Sequence, residues 1–366
     1  MKALSNDLNN QILSKTITYL RFPLIVAVVL IHANLSIVNV SGSLLAGENN
    51  FPIYDILYHI ISDEFARIAV PLFFFFSGFL FFNRTNFTLL AYYDKLKKRV
   101  HTLLVPYLFW NLLVLFAFLL LQLLLPAMTS GDNKLITDYS FSDFLAIFWN
   151  CRPDGFPMCY QFWFIRDLMV VVVLSPLVYC LVRYLKIVGV ILLGLLCCFN
   201  LWYNIPGFSS VAFFFFSFGA WFAIHKHNFV VDFKQLRIPL SILYILLVGL
   251  STSLWYSGLF MYSVHFAGII CGLISVVSWT AFGVERNKLV CNNFLAGSSF
   301  FVYGYHGLFI ALLCKIWMKT FQPATDFVMV SGYVIIPIVV VLLGVGIYYL
   351  LHKYLPRFTG IITGGR

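Results

Sequence analysis

The sequence predicts an all-α, polytopic membrane helix bundle with about ten transmembrane helices and both termini in the cytoplasm. Of its 366 residues, 61% are hydrophobic and only 10% are charged, which is more apolar surface than a soluble domain of this length hides. Runs nearly free of charge recur from end to end, and each is long enough to cross a bilayer. Lys and Arg gather in alternate loops, as the orientation of membrane helices requires.

The apolar runs predict ten spans in chain order. These are 17–39, 64–82, 102–126, 161–182, 187–203, 209–225, 238–257, 262–283, 298–318 and 328–351. No small-residue cleavage site follows the first run, which is expected to remain as a span rather than serve as a signal peptide. We expect the whole chain, 1–366, to form one integral-membrane domain.

The basic residues predict the orientation, because they favour the cytoplasmic ends of membrane helices. One side of the predicted bundle carries Lys2, Lys15, Arg84, Lys95, Lys97, Lys98, Arg99, Arg183, Lys186, Lys226, Lys234, Arg237, Arg286, Lys288, Lys353, Arg357 and Arg366. The other side carries Lys134, Arg152 and Lys319. The formal charge of +10 therefore reflects topology, and no nucleic-acid partner is expected without a soluble basic domain.

The longest predicted external loop, about 127–160, leaves two questions open. It is either a lid over an outward-facing site or a solvated connection. Its Cys151 and Cys159 either form a disulfide in an oxidising compartment or remain free thiols, and the sequence favours neither. No metal site is predicted, because His225 and His227 lie in a loop without a pattern of further ligands.

The first span carries Arg21 and His32, separated by ten almost entirely apolar residues. On a helix this spacing places both side chains on one face, roughly 16 Å apart. The arginine then lies near the cytoplasmic end and the histidine near the middle of the bilayer. An ionisable side chain at that depth is costly to bury and marks a candidate functional site. The alternative is a neutral histidine that bonds a carbonyl within the bundle.

A second histidine, His306, is predicted at a depth close to that of His32, with Tyr303 on its face of the helix. A neutral imidazole accepts a proton from a hydroxyl nucleophile near physiological pH. Two imidazoles in one cavity would therefore suit general-base chemistry. The alternative for His306 is simple packing polarity.

Two further arginines lie near the predicted outer surface. Arg67 ends a stripe that repeats every four residues: Asp55, His59, Asp63 and Arg67. The spacing predicts a solvated face with an Asp63–Arg67 ion pair. Arg166 stands among aromatic residues, where it either extends to the interface or binds a hydroxyl or carbonyl of an acceptor.

A basic cluster opens the third span on the cytoplasmic side: Lys95, Lys97, Lys98, Arg99 and His101. It sets topology, and converging Lys and Arg side chains also hold phosphates well. Together with Arg21 it predicts a cationic mouth for a phosphorylated cytosolic ligand.

These residues resemble the acyltransferase-3 family of bacterial integral-membrane acyltransferases. The matching elements are Arg21 and His32 as its R-x10-H signature, RIAVPLFFFFSGFLFF (67–82), KKRVHTLLVPYLFW (97–110), QFWFIRDL (161–168) and FFVYGYHGLF (300–309). They follow the family's order along nearly the whole chain. One departure concerns the family's R-x-x-R pair, of which Arg99 fits the first position while Thr102 occupies the second.

The resemblance implies transfer of an acyl group, usually acetyl, from a cytosolic acyl-CoA to a hydroxyl of an envelope glycan or lipid-linked saccharide. It also implies the bacterial cytoplasmic (inner) membrane as the location, with membrane lipid as the surroundings. Acetyl-CoA is then a donor substrate, and no bound cofactor is expected. Some relatives carry an additional SGNH domain, and this chain is expected to be a stand-alone member without one.

The hypothetical roles follow from the resemblance and the residues together. His32 is expected to be the general base, which either deprotonates the acceptor hydroxyl or primes a step that carries the acyl group across the membrane. Arg21 is expected to bind the donor phosphate or to position the thioester. Arg99 and Lys98 bind the donor. The residues expected to support the acceptor or the site are Arg67, Arg166, Tyr303 and His306.

Two rival functions remain from the sequence alone. One is a transporter or flippase for an envelope precursor. Such proteins often contain two related halves, and the sequence has no convincing internal repeat. The similarity between the Phe-rich segments 71–82 and 211–218 is short, and chance is the expected explanation. The other rival is a sensor or assembly partner without chemistry.

Overall fold

The computed structural model describes residues 2–40, 43–46, 50–83, 87–124, 134–152, 154–259 and 261–365. Arg84, Arg366 and residues 127–133 of the predicted external loop lie outside this described part. Within it, the strands are the short antiparallel pair Asn39–Val40 and Ser43–Leu44, and nearly everything else is helical. The prediction of an all-α, multi-pass membrane bundle is confirmed.

The α-helices of the described chain are numbered in order. They are α1 Lys2–Ile31, α2 Pro52–Tyr58, α3 Ala69–Phe82, α4 Leu89–Arg99, α5 Val105–Leu124, α6 Phe141–Ala146, α7 Trp163–Val173, α8 Ser175–Cys198, α9 Ser210–Ile224, α10 Phe229–Phe233, α11 Arg237–Tyr256, α12 Tyr262–Glu285, α13 Asn293–Phe321, α14 Asp326–Tyr354 and α15 Pro356–Thr363. Two π-helical turns, His59–Phe65 and Val100–Leu104, and several short 3₁₀ turns interrupt them.

Eight helical stretches of the described residues are long and apolar enough to cross a membrane, against the ten predicted. Predicted span 209–225 corresponds to α9, which has only 15 residues. Predicted spans 161–182 and 187–203 fall on α7 and α8. Helix α8 is broken at Lys186, with φ of 52° and ψ of −134°, at the boundary that the sequence predicted between two spans.

The chain divides into two compact units, each built from three segments. The first unit comprises Met1–Ala27, Asp63–Lys98 and Asp167–Gly297. The second comprises Val28–Ser62, Arg99–Arg166 and Ser298–Arg366. One domain over the whole length stays a prediction.

In the first unit, α3 and α9 pack through paired glycines. A Cβ at Gly78 would overlap the backbone of Phe216, and a Cβ at Gly219 would overlap the backbone of Phe75. Each phenylalanine stands three residues before the glycine of its own helix, so the contact is reciprocal. Small residues let membrane helices approach closely in this way. Each Phe-rich segment thus supplies one glycine and one phenylalanine to the same reciprocal contact.

The π-helical turn Val100–Leu104 directly precedes α5, whose second residue is Pro106. Proline lacks an N–H and cannot continue the regular hydrogen-bond pattern, so nearby turns deviate from α geometry. The turn at His59–Phe65 disrupts the four-residue spacing of the polar stripe. His59 is consequently buried, against the prediction of a solvated face, whereas Arg67 does pair with Asp63 at 3.1 Å.

Candidate functional site

In the second unit, side-chain hydroxyls hold the end of α1, which stops immediately before His32. Tyr58 donates its hydroxyl to the carbonyl of Ile31 at 2.7 Å, and Ser62 donates to that of Leu30 at 2.9 Å. The last carbonyls of a helix lack their full set of helical partners. These two hydroxyls satisfy them and set where the chain leaves the helix, and therefore where His32 lies.

His32 and His306 come together in the second unit. Their ring centroids are 5.3 Å apart and their planes are tilted by 30°. The ring of Tyr160 meets His32 edge-on at 5.0 Å. The two histidines that the sequence predicted as site residues are therefore neighbours. Tyr160, which the sequence did not indicate, contacts His32.

His306 is fully buried on α13, and its hydrogen bonds define its tautomer. Its Nδ1 lies 2.7 Å from the carbonyl oxygen of Tyr303 and 3.3 Å from that of Val302. A carbonyl only accepts, so Nδ1 carries the hydrogen and Nε2 of the neutral ring holds a lone pair. Nε2 is buried and makes no hydrogen bond with any described residue. The pair thus contains a nitrogen able to accept a proton.

Tyr303 binds the 3₁₀ turn Tyr160–Phe162 to α13. Its hydroxyl donates to the carbonyl of Gln161, and its ring stacks on that of Phe162 at 5.0 Å. Gln161 in return donates its amide to the carbonyl of Gly304 at 3.1 Å. The Gln161 amide fits here because residue 307 is glycine. A Cβ at Gly307 would overlap the amide. Tyr303 therefore positions the turn that carries Tyr160 beside His32.

A pocket of about 310 Å³ adjoins this turn, and we call it the apolar pocket. Its polar lining consists of Arg152, Tyr160, Gln161 and Lys315, among largely aliphatic and aromatic side chains of α5 and α13. The Arg152 guanidinium lies 5.5 Å from the ring centre of Tyr160. Burial raises the pKa of the Tyr160 phenol, so the hydroxyl keeps its hydrogen at neutral pH.

Arg166 is buried and holds part of the predicted external loop. Its Nη1 donates to the carbonyls of Trp149 at 2.6 Å and Gly155 at 2.7 Å. Its guanidinium also lies 5.6 Å from the ring centre of Trp149. These contacts give Arg166 a role in fixing the loop, and its role toward an acceptor stays a prediction.

Of the two states left open for Cys151 and Cys159, the structure has free thiols, as for all eight cysteines of the chain. The sulfur of Cys151 lies 3.9 Å from that of Met158. Burial raises the pKa of both thiols, so they are poor thiolate nucleophiles.

The first unit contains a second, larger cavity of about 1010 Å³, which we call the cationic cavity. The side chains that matter below are Arg21, Arg183, Lys226, His227, Phe87 and Tyr179. Among the described residues, no Asp or Glu lines it. Arg21 was expected at a cationic mouth, and it lines a cavity with three other basic side chains.

Three predicted residues lie elsewhere. Lys98 is exposed at the end of α4 in the first unit, and Arg99 is half-buried in the second. Arg67 is largely exposed beside Asp63. Their roles in donor or acceptor binding stay predictions.

Sequence reasoning missed Tyr160 and Arg152 beside the histidines, and Arg183 and Lys226 in the cationic cavity. It treated the first two as part of an external loop and the other two as topology signals. It also missed a buried carboxylate in the first unit. Glu64 accepts from the Ser251 hydroxyl at 2.6 Å and lies 3.2 Å from Nδ1 of His265. The position of Glu64 as the first residue of the predicted span 64–82 is the signal that would have indicated it.

The fold and the site define a multi-pass membrane protein with an imidazole pair in one unit and a basic cavity in the other. A family model described as an acyltransferase domain matches residues 15–353. The match covers nearly the whole chain, so the chain belongs to the acyltransferase-3 family, as the sequence motifs predicted. Comparisons with curated proteins and with solved structures found no match.

Proposed function

We propose that this membrane acyltransferase moves an acetyl group from cytosolic acetyl-CoA to a hydroxyl of an envelope glycan or lipid-linked saccharide, in the bacterial inner membrane. The observation that carries the proposal is the pairing of half-buried His32 with fully buried His306, whose ring centroids are 5.3 Å apart. Family membership supports acyl transfer in general. The pair supplies the base that a hydroxyl acceptor requires.

In the proposed reaction, His32 takes the proton of the acceptor hydroxyl as its oxygen attacks the thioester carbonyl carbon. The new C–O bond forms and the C–S bond breaks, and the departing CoA thiolate receives the proton from the imidazolium. Two imidazoles this close resist carrying two positive charges. His306, with its hydrogen held on Nδ1 by Tyr303, therefore keeps the pair ready to accept one proton.

Arg21 supports a CoA thioester as donor. CoA is a polyanion, and Arg21 lines a cavity with Arg183 and Lys226, in which no described carboxylate competes for the basic groups. Charge-assisted hydrogen bonds to phosphate are among the strongest polar contacts. The distribution of Lys and Arg predicts that this cavity faces the cytoplasm, where acyl-CoA is found. Arg99 and Lys98 remain proposed donor contacts.

The apolar pocket favours a lipid-linked acceptor over a free glycan. Arg152 and Lys315 bring two positive charges to a pocket whose other walls are mainly apolar. An apolar chain attached to a phosphate satisfies both features. Tyr160 lines the pocket and also contacts His32, so a saccharide attached to that phosphate would lie near the base. Arg67 and Arg166 remain proposed supports on the acceptor side.

The test uses purified full-length protein in proteoliposomes with acetyl-CoA and lipid-linked or free saccharides. Release of CoA thiol and acetylation of the saccharide are measured together. We expect thiol release to depend on the acceptor, and H32A to lower the rate by roughly 10²–10⁴-fold. H352A is the matched control, because His352 lies on α14 outside both cavities.

Retained turnover in H32A would remove this residue from the mechanism. Movement of a precursor across the membrane without thiol release would instead identify a transporter. A preference for free over lipid-linked saccharide would contradict the acceptor that the apolar pocket favours.

A further inference from the structure

We propose that Lys226 and Arg183 recognise the 3′-phosphate of CoA at the rim of the cationic cavity, while Arg21 meets the pyrophosphate deeper inside. The inference rests on the proposed CoA donor and names the groups that select it. No feature of the sequence assigned a ligand to Lys226 or Arg183.

The basic groups of the cavity differ in exposure. Arg183 and Lys226 are exposed, whereas Arg21 is half-buried. None of the three pairs with a carboxylate among the described residues. His227 is different, because its Nδ1 lies 3.0 Å from the carboxylate of Asp232 and its ring stacks on Trp221. We therefore assign the ligand charge to the three longer side chains and not to His227.

The backbone conformation at Lys226 does not favour a lysine. Helix α9 ends in a turn in which the N–H of Lys226 bonds the carbonyl of Ala223 and that of His227 bonds the carbonyl of Phe222. Lys226 takes the left-handed position of this Schellman motif, with φ of 60°. Glycine is the usual residue there because it has no Cβ penalty. The turn itself therefore does not explain the lysine at this position.

The cavity also has an aromatic wall. Phe87 and Tyr179 stack on each other with centroids 4.6 Å apart and planes 26° apart, and both are half-buried. Aromatic faces hold nucleobases by stacking. The volume of about 1010 Å³ is at the upper end of the ~300–1,000 Å³ typical of small-molecule sites, as an extended nucleotide requires.

The arrangement of charges matches the nucleotide end of CoA. This end carries a purine, a pyrophosphate and a separate dianionic 3′-phosphate. A wall for the base, two cations at the rim and one within the cavity correspond to these three groups. The 3′-phosphate is furthest from the thioester and remains at the exposed rim, while the pantetheine arm continues inward past Arg21.

The test measures equilibrium binding of CoA and of 3′-dephospho-CoA to the full chain in nanodiscs. We expect the wild type to bind CoA at least about tenfold more tightly than dephospho-CoA. The variants K226G and R183Q should each lose about tenfold in CoA affinity. Their affinity for dephospho-CoA should stay within about twofold of wild type, because neither removed group contacts the rest of the molecule.

K226G separates binding from folding. Glycine suits the left-handed turn, so the thermal midpoint of K226G should not fall below that of the wild type. K288Q is the matched control, since Lys288 is an exposed lysine on the same predicted side but outside the cavity.

Equal affinity of the wild type for the two ligands, or unchanged CoA affinity in both variants, overturns the inference and leaves the proposed function intact. Absence of any CoA or acetyl-CoA binding by the wild type overturns the proposed donor together with the inference.

Discussion

The cationic cavity of the first unit and the histidine pair of the second are built in opposite ways. The cavity is wide, and Lys226 and Arg183 reach it from exposed positions. The pair combines half-buried His32 with fully buried His306, and backbone carbonyls and hydroxyls determine the position of one ring and the tautomer of the other. Long basic side chains adjust to a flexible polyanion, whereas proton transfer requires reacting atoms within hydrogen-bond reach. The first region should therefore control affinity, and the second should control rate.

H306A should have as large an effect on the rate as H32A. Removing the imidazole eliminates the nitrogen that holds the lone pair beside His32, and kcat should fall by roughly 10²–10⁴-fold. The KM for acetyl-CoA should remain within about twofold, because this histidine belongs to the unit without the cationic cavity. Steady-state thiol release measures both constants.

H306Q serves as the partner variant, since it keeps a hydrogen-bonding side chain of similar length without a basic nitrogen. A rate near wild type in H306Q would mean that His306 contributes polarity and not basicity.

R21Q should have the opposite effect: it should raise the KM for the donor and leave kcat nearly unchanged. Loss of a charge-assisted hydrogen bond to phosphate costs about 1.5–3 kcal/mol, so the KM for acetyl-CoA should rise by about 10–150-fold. The value of kcat at saturating donor should change little. R357Q is the control, because Arg357 is exposed on the same predicted side and does not line the cavity. A fall in kcat without a change in KM would place Arg21 in the chemical step.

The sequence predicted more of the histidine pair than of the cationic cavity, and the reason is physical. The depth of His32 and His306 follows from their distance along apolar helices, so their proximity was foreseeable from two spans. The residues of the cationic cavity were not foreseeable. The charge pattern predicts on which side of the membrane Lys226 and Arg183 lie, but it does not predict which residues they contact. Tyr160 was missed since loop packing leaves no periodic signal.

The fold likewise contains features that the sequence predicted and features that it did not. Apolar run length predicted the helices, including the break at Lys186 between two spans. The count differed because α7 and α9 are only 11 and 15 residues long, and bilayer thickness constrains isolated spans more than helices packed in protein. The prediction that His59 lies on a solvated face was wrong. A π-helical turn, which composition does not indicate, changes the helical spacing there.

Y58F tests whether the hydroxyls at the end of α1 matter to the rate. The substitution removes the hydrogen bond to the carbonyl of Ile31 and keeps the ring. A neutral hydrogen bond is worth about 1 kcal/mol, so we expect kcat to fall by roughly 3–10-fold through misplacement of His32, with the donor KM unchanged. Y256F is the control on an exposed tyrosine. Full activity in Y58F would show that the remaining contacts of the helix end are sufficient.

The smallest effect should come from salt, and it separates the two regions without any substitution. Raising the ionic strength from about 0.05 to 0.5 M shortens the Debye length from about 14 Å to about 4 Å. Exposed Lys226 and Arg183 should then attract the donor less, and the KM for acetyl-CoA should rise by about two- to fivefold. His306 is fully buried and His32 is half-buried, so ions in solution reach the pair less readily than the exposed rim, and kcat should stay constant. A variant with both rim charges removed, K226G/R183Q, should lose most of this salt dependence. An equal response of that variant and the wild type would mean that the charges sensed by the donor lie outside the cationic cavity.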